Sequence, residues 1–161
     1  MRRTTGIATT ATVLGLLVPS GPAQAEKIGG TPGADRLVGT DSGDKINGRG
    51  GEDELRGLRG NDELLGGTGP DLLLGHQGND TLSGQRGDDT LWGGRGSDEV
   101  DDGPGRDQLY LGRGDDVVLS EADGVRDRIY CGPGDDSVWY WGAPEKKDRL
   151  LGCEHVGDWS H

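Results

Sequence analysis

Aliphatic residues recur every nine positions through the middle of the chain, with glycine and polar residues between them. The ten positions are Leu37, Ile46, Leu55, Leu64, Leu73, Leu82, Leu91, Val100, Leu109 and Val118. An α-helix returns to one face about every 3.6 residues and a β-strand about every 2, so neither explains a period of nine. The pattern therefore predicts a repeated unit that buries its aliphatic residue only by stacking on its neighbours.

Each nine-residue unit predicts a very short β-strand around its aliphatic residue, with the remaining residues forming a turn. Two units, or 18 residues, would close one coil of a solenoid with a strand on each side. Successive coils would stack as parallel sheets at the usual strand spacing of about 4.8 Å. The predicted fold class is all-β, with a thin core that receives one aliphatic side chain from each unit.

An aspartate lies two residues before each of these aliphatic positions. The ten aspartates are Asp35, Asp44, Asp53, Asp62, Asp71, Asp80, Asp89, Asp98, Asp107 and Asp116. A glycine stands two residues before every one of them except Asp44, where Ser42 takes its place. With 33 glycines, 29% charged residues and no phenylalanine, the composition alone is typical of a disordered chain. A disordered chain has no reason to hold three residue types in fixed phase, so the pattern favours a folded repeat.

The repeat continues beyond this region with less regular spacing. The further pairs of acidic and aliphatic residues are Glu26 with Ile28, Asp127 with Ile129, Asp136 with Val138, and Asp148 with Leu150. We expect a solenoid over residues 26–120, followed by degenerate repeats and a C-terminal cap over residues 121–161.

The first 25 residues have the layout of a secretory signal peptide. Arg2 and Arg3 form a basic start, residues 7–18 are mostly apolar or small, and residues 23–25 read Ala-Gln-Ala. The apolar stretch is too short to span a bilayer. We therefore expect a secreted, extracellular protein that does not insert into a membrane.

The formal net charge of −12 points to cations as partners and away from nucleic acid and anionic membranes. In the predicted solenoid the aspartates form two columns, and carboxylates about 5 Å apart repel by about 3 kcal/mol per pair at an effective dielectric of 20. The turns also expose backbone carbonyls that need partners. A hard cation with six to eight oxygen ligands meets both needs, which describes Ca²⁺ better than Mg²⁺.

Three segments resemble the G-G-x-G-x-D-x-U-x nonapeptide of the RTX, or haemolysin-type, calcium-binding repeats, where U is a large aliphatic residue. They are GGTGPDLLL (66–74), GGRGSDEVD (93–101) and GRGDDVVLS (112–120). The resemblance implies a right-handed parallel β-roll with Ca²⁺ between turns, held by aspartate side chains and by carbonyl oxygens of the glycine-rich loops. The first two loops, TPGADRLVG (31–39) and TDSGDKING (40–48), lack some of the motif's glycines.

Carried over by position, the resemblance implies a calcium ligand set of aspartates and glycines. The ligands would be the ten aspartates from Asp35 to Asp116, with carbonyls from glycines such as Gly78, Gly84, Gly87, Gly93, Gly96, Gly105 and Gly114. Ten regular repeats would then hold up to about eight ions.

Cys131 and Cys153 are the only cysteines, and we expect them to form a disulfide in an exported chain. Cys131 lies four residues after Asp127 and Cys153 five residues after Asp148. The predicted stacking of those repeats brings both cysteines close to the Cα separation that a bridge requires.

The function predicted from these features is calcium binding by a secreted protein whose folding depends on calcium. No catalytic residues are expected, because the repeat accounts for the carboxylates that could serve an enzyme. The alternative is a calcium-dependent adhesion or carbohydrate-binding module with a cell-surface or glycan partner. Its binding surface would be the late aromatic residues, Tyr130, Trp139, Tyr140, Trp141 and Trp159, although the expected role of these residues is to plug the open end of the solenoid.

Overall fold

The computed structural model describes residues 24–141 and 148–158. The predicted signal peptide lies outside these ranges except for residues 24 and 25, and so does Trp159. In the described part of the chain every regular element is a β-strand. No helix there is long and apolar enough to cross a membrane.

Fifteen strands alternate between the two sides of a solenoid. The odd-numbered strands are β1 (Lys27–Gly29), β3 (Lys45–Gly50), β5 (Glu63–Thr68), β7 (Thr81–Arg86), β9 (Glu99–Asp101), β11 (Val117–Glu121), β13 (Ser137–Trp141) and β15 (His155–Asp158). The even-numbered strands are β2 (Arg36–Val38), β4 (Glu54–Arg59), β6 (Leu72–Gln77), β8 (Thr90–Arg95), β10 (Gln108–Arg113), β12 (Arg128–Tyr130) and β14 (Arg149–Leu151).

The odd strands form an eight-stranded sheet and the even strands a seven-stranded sheet, both in chain order. Neighbouring strands are parallel, and Leu55 of β4 lies beside Leu73 of β6, 18 residues further along the chain. The predicted all-β parallel solenoid with two units per coil is therefore confirmed. After β10 the offset grows, since Leu109 lies beside Ile129, and the extra residues are absorbed between the strands.

The core is a narrow column of aliphatic side chains between the two sheets. All ten predicted aliphatic residues are at most 2% exposed, as are Ile129 and Val138. Each of them stacks on the equivalent residue of the adjacent coils, so a unit with one large apolar side chain still buries that side chain completely. Leu111 and Tyr140 also lie in this column, which the period of nine did not predict.

Most strands of the regular region are six residues long, so the prediction of very short strands is wrong there. In β4, pairing with β6 holds at Arg56, is absent at Gly57, and resumes at Leu58. Leu58 has a φ of 86°, so the backbone bends at this point. The adjacent coil follows the same bend, because His76 opposite has a φ of 79°. The parallel pairing therefore continues around part of the predicted turn.

Both ends of the chain described here continue the same architecture. Ile28 lies beside Ile46, which confirms a first, degenerate repeat at Glu26. At the other end β12 to β15 extend both sheets. Cys131 and Cys153 form the predicted disulfide, with a Cα–Cα distance of 5.2 Å.

Candidate metal centre

The aspartates of one column are linked by hydrogen bonds between successive coils. The backbone N–H of Asp53 donates to Oδ1 of Asp71 at 2.9 Å, and the N–H of Asp71 donates to Oδ1 of Asp89 at 2.7 Å. The same bond recurs in both columns from Asp35 to Asp127. The ten predicted aspartates are at most 6% exposed. Oδ1 of each aspartate therefore accepts a backbone N–H from the coil before it, and this bond fixes the direction of Oδ2. Asp35 is the exception, because no backbone N–H of an earlier coil donates to its Oδ1.

The second carboxylate oxygen has no hydrogen-bond partner in most of these residues. Within the described chain, Oδ2 is buried without a partner in Asp53, Asp62, Asp71, Asp80, Asp89, Asp98, Asp107, Asp116 and Asp136. A buried polar atom without a partner costs about 1–3 kcal/mol, and more when it carries charge. A regular series of such atoms indicates that a ligand completes the site.

From Asp53 to Asp98, each of these oxygens points at a space beside the glycine five residues earlier. A methyl group placed on Gly66 would lie 2.6 Å from Asp71 Oδ2 and 2.8 Å from the carbonyl oxygen of Gly84. One coil later, a methyl group on Gly84 would lie 2.5 Å from Asp89 Oδ2 and 2.7 Å from the Asp102 carbonyl oxygen. A carboxylate oxygen and a backbone carbonyl thus converge on a space that exists only because the residue is glycine.

The same arrangement recurs along both columns, and we call each instance a glycine cradle. The cradles whose Oδ2 has no hydrogen-bond partner are Gly48 with Asp53, Gly57 with Asp62, Gly66 with Asp71, Gly75 with Asp80, Gly84 with Asp89, and Gly93 with Asp98. At Gly57 the nearest atoms all belong to Asp62. Gly30 with Asp35 and Gly39 with Asp44 form the same arrangement. Carboxylate and carbonyl oxygens are the donors that Ca²⁺ prefers. No three His, Cys, Asp or Glu side chains of the described residues form a compact metal-binding group, so a bound cation would also need the main chain.

Asp35 and Asp44 differ from the later aspartates because a threonine satisfies their inner oxygens. Thr31 donates from its Oγ1 to Asp35 Oδ2 at 2.9 Å, and Thr40 donates to Asp44 Oδ2 at 3.0 Å. The backbone N–H of each threonine donates to the same oxygen at 2.5 Å. Oδ2 of each therefore has less need of a cation, although Oδ1 of Asp35 is buried without a partner. The threonine four residues before each of them is the sequence signal.

Asp107 and Asp116 lack a glycine in the cradle position. Asp102 and Leu111 stand there instead, and both are fully buried. The Asp102 carboxyl group accepts hydrogen bonds from Ser120 Oγ at 2.7 Å and from the Glu121 N–H at 3.1 Å. At these two coils the interior is occupied by the chain's own side chains, although both aspartates keep an unpartnered Oδ2.

Burial raises the pKa of the aspartates that form these columns. The pKa rises to about 6 for Asp62, Asp71, Asp80, Asp98 and Asp116, and to about 7 for Asp89. The hydrogen bond from the preceding aspartate opposes this rise, and the charges of column neighbours add to it. The effect is largest where carboxyl groups crowd the interior, with a pKa of about 8 for Asp102 and about 9 for Asp107. Keeping these buried carboxyl groups ionised at neutral pH therefore destabilises the folded state.

The predicted glycines fall into two structural classes. Gly84 and Gly93 line cradles. The other five predicted glycines lie in the turn two residues before an aspartate: Gly78, Gly87, Gly96, Gly105 and Gly114. At Gly87 φ is 148°, and an added Cβ would overlap the Gly69 carbonyl of the preceding coil. Glycine at the turn position thus allows adjacent coils to approach closely.

Sequence reasoning missed three parts of the site. Its ligand set did not name the cradle glycines Gly48, Gly57, Gly66 and Gly75, although the repeat motif places a glycine five residues before the aspartate. It did not place the Asp102 side chain in the interior. It also missed Glu154, whose Oε2 accepts the Asp136 N–H at 3.0 Å and so continues a column 18 residues later.

The RTX calcium-binding nonapeptide repeat model matches this chain in four overlapping copies, at residues 29–64, 56–91, 65–100 and 92–124. The matched segments cover more than half of the chain and contain every predicted aspartate. A search of curated proteins finds no significant match to the chain.

Proposed function

We propose that this chain, which belongs to the RTX calcium-binding nonapeptide repeat family, is an exported, non-catalytic protein whose β-roll is completed by calcium. RTX repeats bind Ca²⁺, and a calcium-binding β-roll is the function that the family and the fold share. The observation that carries the proposal is the series of buried, unpartnered Oδ2 atoms from Asp53 to Asp98, each facing a glycine cradle.

The six cradles from Asp53 to Asp98 are the proposed principal sites. Each would supply an aspartate oxygen and a backbone carbonyl, such as those of Gly66, Gly84 and Gly93. The turn glycines from Gly78 to Gly114 would contribute further carbonyls, as the family resemblance implies. Asp35, Asp44, Asp107 and Asp116 would be weaker ligands, because a threonine satisfies the first two and the last two lack a cradle glycine.

Bound calcium would supply positive charge to columns of buried carboxylates. Burial raises the pKa of Asp89 and Asp107 to about 7 and 9, so without a cation their ionisation at neutral pH would destabilise the folded state. The core receives only one aliphatic side chain from each nine-residue unit, so apolar burial has limited capacity to offset that cost. Since a ligand that binds only the folded state stabilises it, folding would depend on calcium concentration.

Two features support export. The predicted signal peptide has the expected layout, and the Cys131–Cys153 disulfide fits an oxidising compartment. Extracellular calcium modules bind with dissociation constants of about 10⁻⁴–10⁻³ M. A chain with affinity in that range would stay largely unfolded in a calcium-poor cell and fold after export.

The alternative adhesive function does not gain support from the late aromatic residues. Tyr140 is 1% exposed inside the core, and Trp139 lies against the backbone of Gly157. Tyr130 stacks on Tyr110, while Trp141 is 62% exposed. Those described residues do not form one exposed binding platform, so adhesion through this cluster is not proposed.

A pair of glycine substitutions tests the cradles. Gly66→Ala would place a methyl group against Asp71 Oδ2 and the Gly84 carbonyl, whereas Gly33→Ala would meet only Thr31 Oγ1, at 3.9 Å. Calorimetric titration should show that Gly66→Ala binds fewer calcium ions or binds them more weakly, with Gly33→Ala close to the unmodified protein. Equal calcium binding by both variants would contradict the proposal.

A further inference from the structure

A shallow groove of about 510 Å³ crosses the outer face of the seven-stranded sheet at β6, β8 and β10. It lies on the opposite side of these strands from the core, so it is separate from the aspartate columns. Its walls are columns of equivalent residues, one from each coil.

One wall of the groove is formed by Trp92, the first of three aromatic rings stacked along successive coils. Trp92 stacks on Tyr110 with centroids 4.1 Å apart, and Tyr110 stacks on Tyr130 at 4.9 Å. Leu74 occupies the equivalent position one coil before Trp92 and lines the same groove. Because Leu74 is smaller than an aromatic residue, the Trp92 face turned away from Tyr110 borders the groove. Trp92 is 45% exposed.

Two arginines without carboxylate partners form the other wall. Arg95 and Arg113 lie side by side on β8 and β10. Neither belongs to an ion pair among the described residues, although Arg59 in the same column pairs with Asp41 at 3.5 Å. Adjacent like charges on paired strands are destabilising, so two such arginines suit a bound anion. This local positive charge stands out on a chain of net charge −12.

The floor of the groove, between the two walls, is formed by the His76 side chain and by Gly94, which has no side chain. His76 lines the groove at a position where the next two coils have Gly94 and Gly112. His76 has a φ of 79°, a conformation that glycine adopts without strain. Arg49, Leu58 and Gln85 share this conformation, so the strain does not mark the groove by itself. The absence of a side chain at Gly94 keeps the floor open beside Trp92.

We propose that this groove binds a carboxylated polysaccharide, with a sugar ring packed on Trp92 and carboxylates held by Arg95 and Arg113. The apolar face of a pyranose ring packs well on the electron-rich face of an indole. Arginine binds carboxylates through paired hydrogen bonds. The two arginines lie on neighbouring strands about 4.8 Å apart, which suits a linear polymer with regularly spaced charges.

An acidic peptide fits this surface less well. Strands β6, β8 and β10 are interior strands of the sheet, so they offer no free edge to which a peptide could add as a strand. Arg95 lies in the same turn as Gly93 and Gly96, but the groove is on the outer face of the sheet, away from the aspartate columns. Polysaccharide binding to the calcium-loaded protein can therefore fail while calcium binding holds, so the proposal goes beyond calcium binding.

The test is calorimetric titration of the calcium-loaded protein with a short galacturonic acid oligomer, with a neutral galactose oligomer of equal length as control. Arg95→Gln and Arg113→Gln are conservative in this column, since Gln77 occupies the same position one coil earlier. Arg59→Gln makes the same change outside the groove. Trp92→Leu introduces the residue present at position 74. Far-UV circular dichroism in calcium would establish that each variant folds.

We expect the acidic oligomer to bind and the neutral one not to bind. Each arginine variant should lose about tenfold in affinity, the effect of one charge-assisted hydrogen bond, and Trp92→Leu should weaken binding as well. Arg59→Gln should bind normally. The proposal is overturned if the oligomer does not bind, if Arg59→Gln loses as much affinity as the groove variants, or if a glutamate oligomer of equal charge binds equally well.

Discussion

Asp71 and Asp89 are joined by a hydrogen bond of 2.7 Å from the backbone N–H of the first to Oδ1 of the second, one coil away. This bond uses one Asp89 oxygen to connect coils and leaves the other facing a cradle formed by Gly84 and the Asp102 carbonyl. A single carboxylate therefore serves both the stacking of the solenoid and its proposed metal site. The two roles can be separated by substitution.

Asp89→Asn should weaken calcium binding but preserve the link between coils, because an amide oxygen can still accept the Asp71 N–H. Asp89→Ala should lose both roles and leave that buried N–H unpaired, at a cost of about 1–3 kcal/mol in the free energy of unfolding. Calcium titration and urea unfolding of both variants would measure the difference. Asp44→Asn is the control, since Thr40 already satisfies Asp44, and its effect on calcium affinity should be smaller. An equal loss at Asp44 would contradict this account.

Acid should stabilise the metal-free fold. The column aspartates have folded-state pKa values of about 6 to 9, above the 3.8 of a free aspartate, so the folded chain binds protons more tightly than the unfolded chain. Their protonation therefore contributes full stability below about pH 4, and this contribution is lost as the pH rises through about 6 to 9. Circular dichroism in a chelator should show more β-structure at pH 5 than at pH 8. More β-structure at pH 8 would have the wrong sign.

Asp102→Gly should create an additional calcium site. The change removes the carboxyl group bound to Ser120 and gives Asp107 the cradle glycine found five residues before Asp53 to Asp98. The number of bound calcium ions should rise by about one, because Asp107 Oδ2 is already buried without a partner. Equilibrium dialysis measures the stoichiometry directly. Ser120→Ala removes the hydrogen bond but keeps the Asp102 side chain, so it should leave the stoichiometry unchanged.

The disulfide should stabilise the C-terminal coils. Cys131 is fully buried and its bridge to Cys153 closes a segment with a sequence separation of 22. Replacing both cysteines with alanine should lower the free energy of unfolding by about 3 kcal/mol, as expected for a loop of that length. Urea unfolding at saturating calcium would test this. A change below about 0.5 kcal/mol, the range of neutral surface substitutions, would show that the bridge contributes little.

The regular part of the fold was predictable because every unit repeats the same physical requirement. A strict period of nine places Leu55 beside Leu73 and Asp53 beside Asp71, and the core and both columns follow from that register. Strand length was not predictable in this way. The pairing at Leu58 depends on a bend that adjacent coils share, and a pattern of hydrophobic residues carries no information about it.

The site was less predictable where the repeat is irregular. Glu154 lies six residues after Asp148 where the repeat would place an acidic residue nine residues after it, so its link to Asp136 is clear only from the register. Tyr140 lies in the core four residues after Asp136, the position at which most regular units have the cradle glycine. The missing motif glycines already distinguish Asp35 from Asp53 in the sequence, but they do not show that Thr31 satisfies the inner oxygen of Asp35.

The dependence of folding on calcium is tested most directly by far-UV circular dichroism of residues 26–161 at neutral pH. The protein would be measured first in EDTA and then during titration with Ca²⁺, with Mg²⁺ in a parallel titration. We expect a largely disordered spectrum in EDTA and a cooperative transition to β-structure with Ca²⁺ alone. A complete β-spectrum in EDTA, an equal response to Mg²⁺, or no transition with Ca²⁺ would contradict calcium-dependent folding.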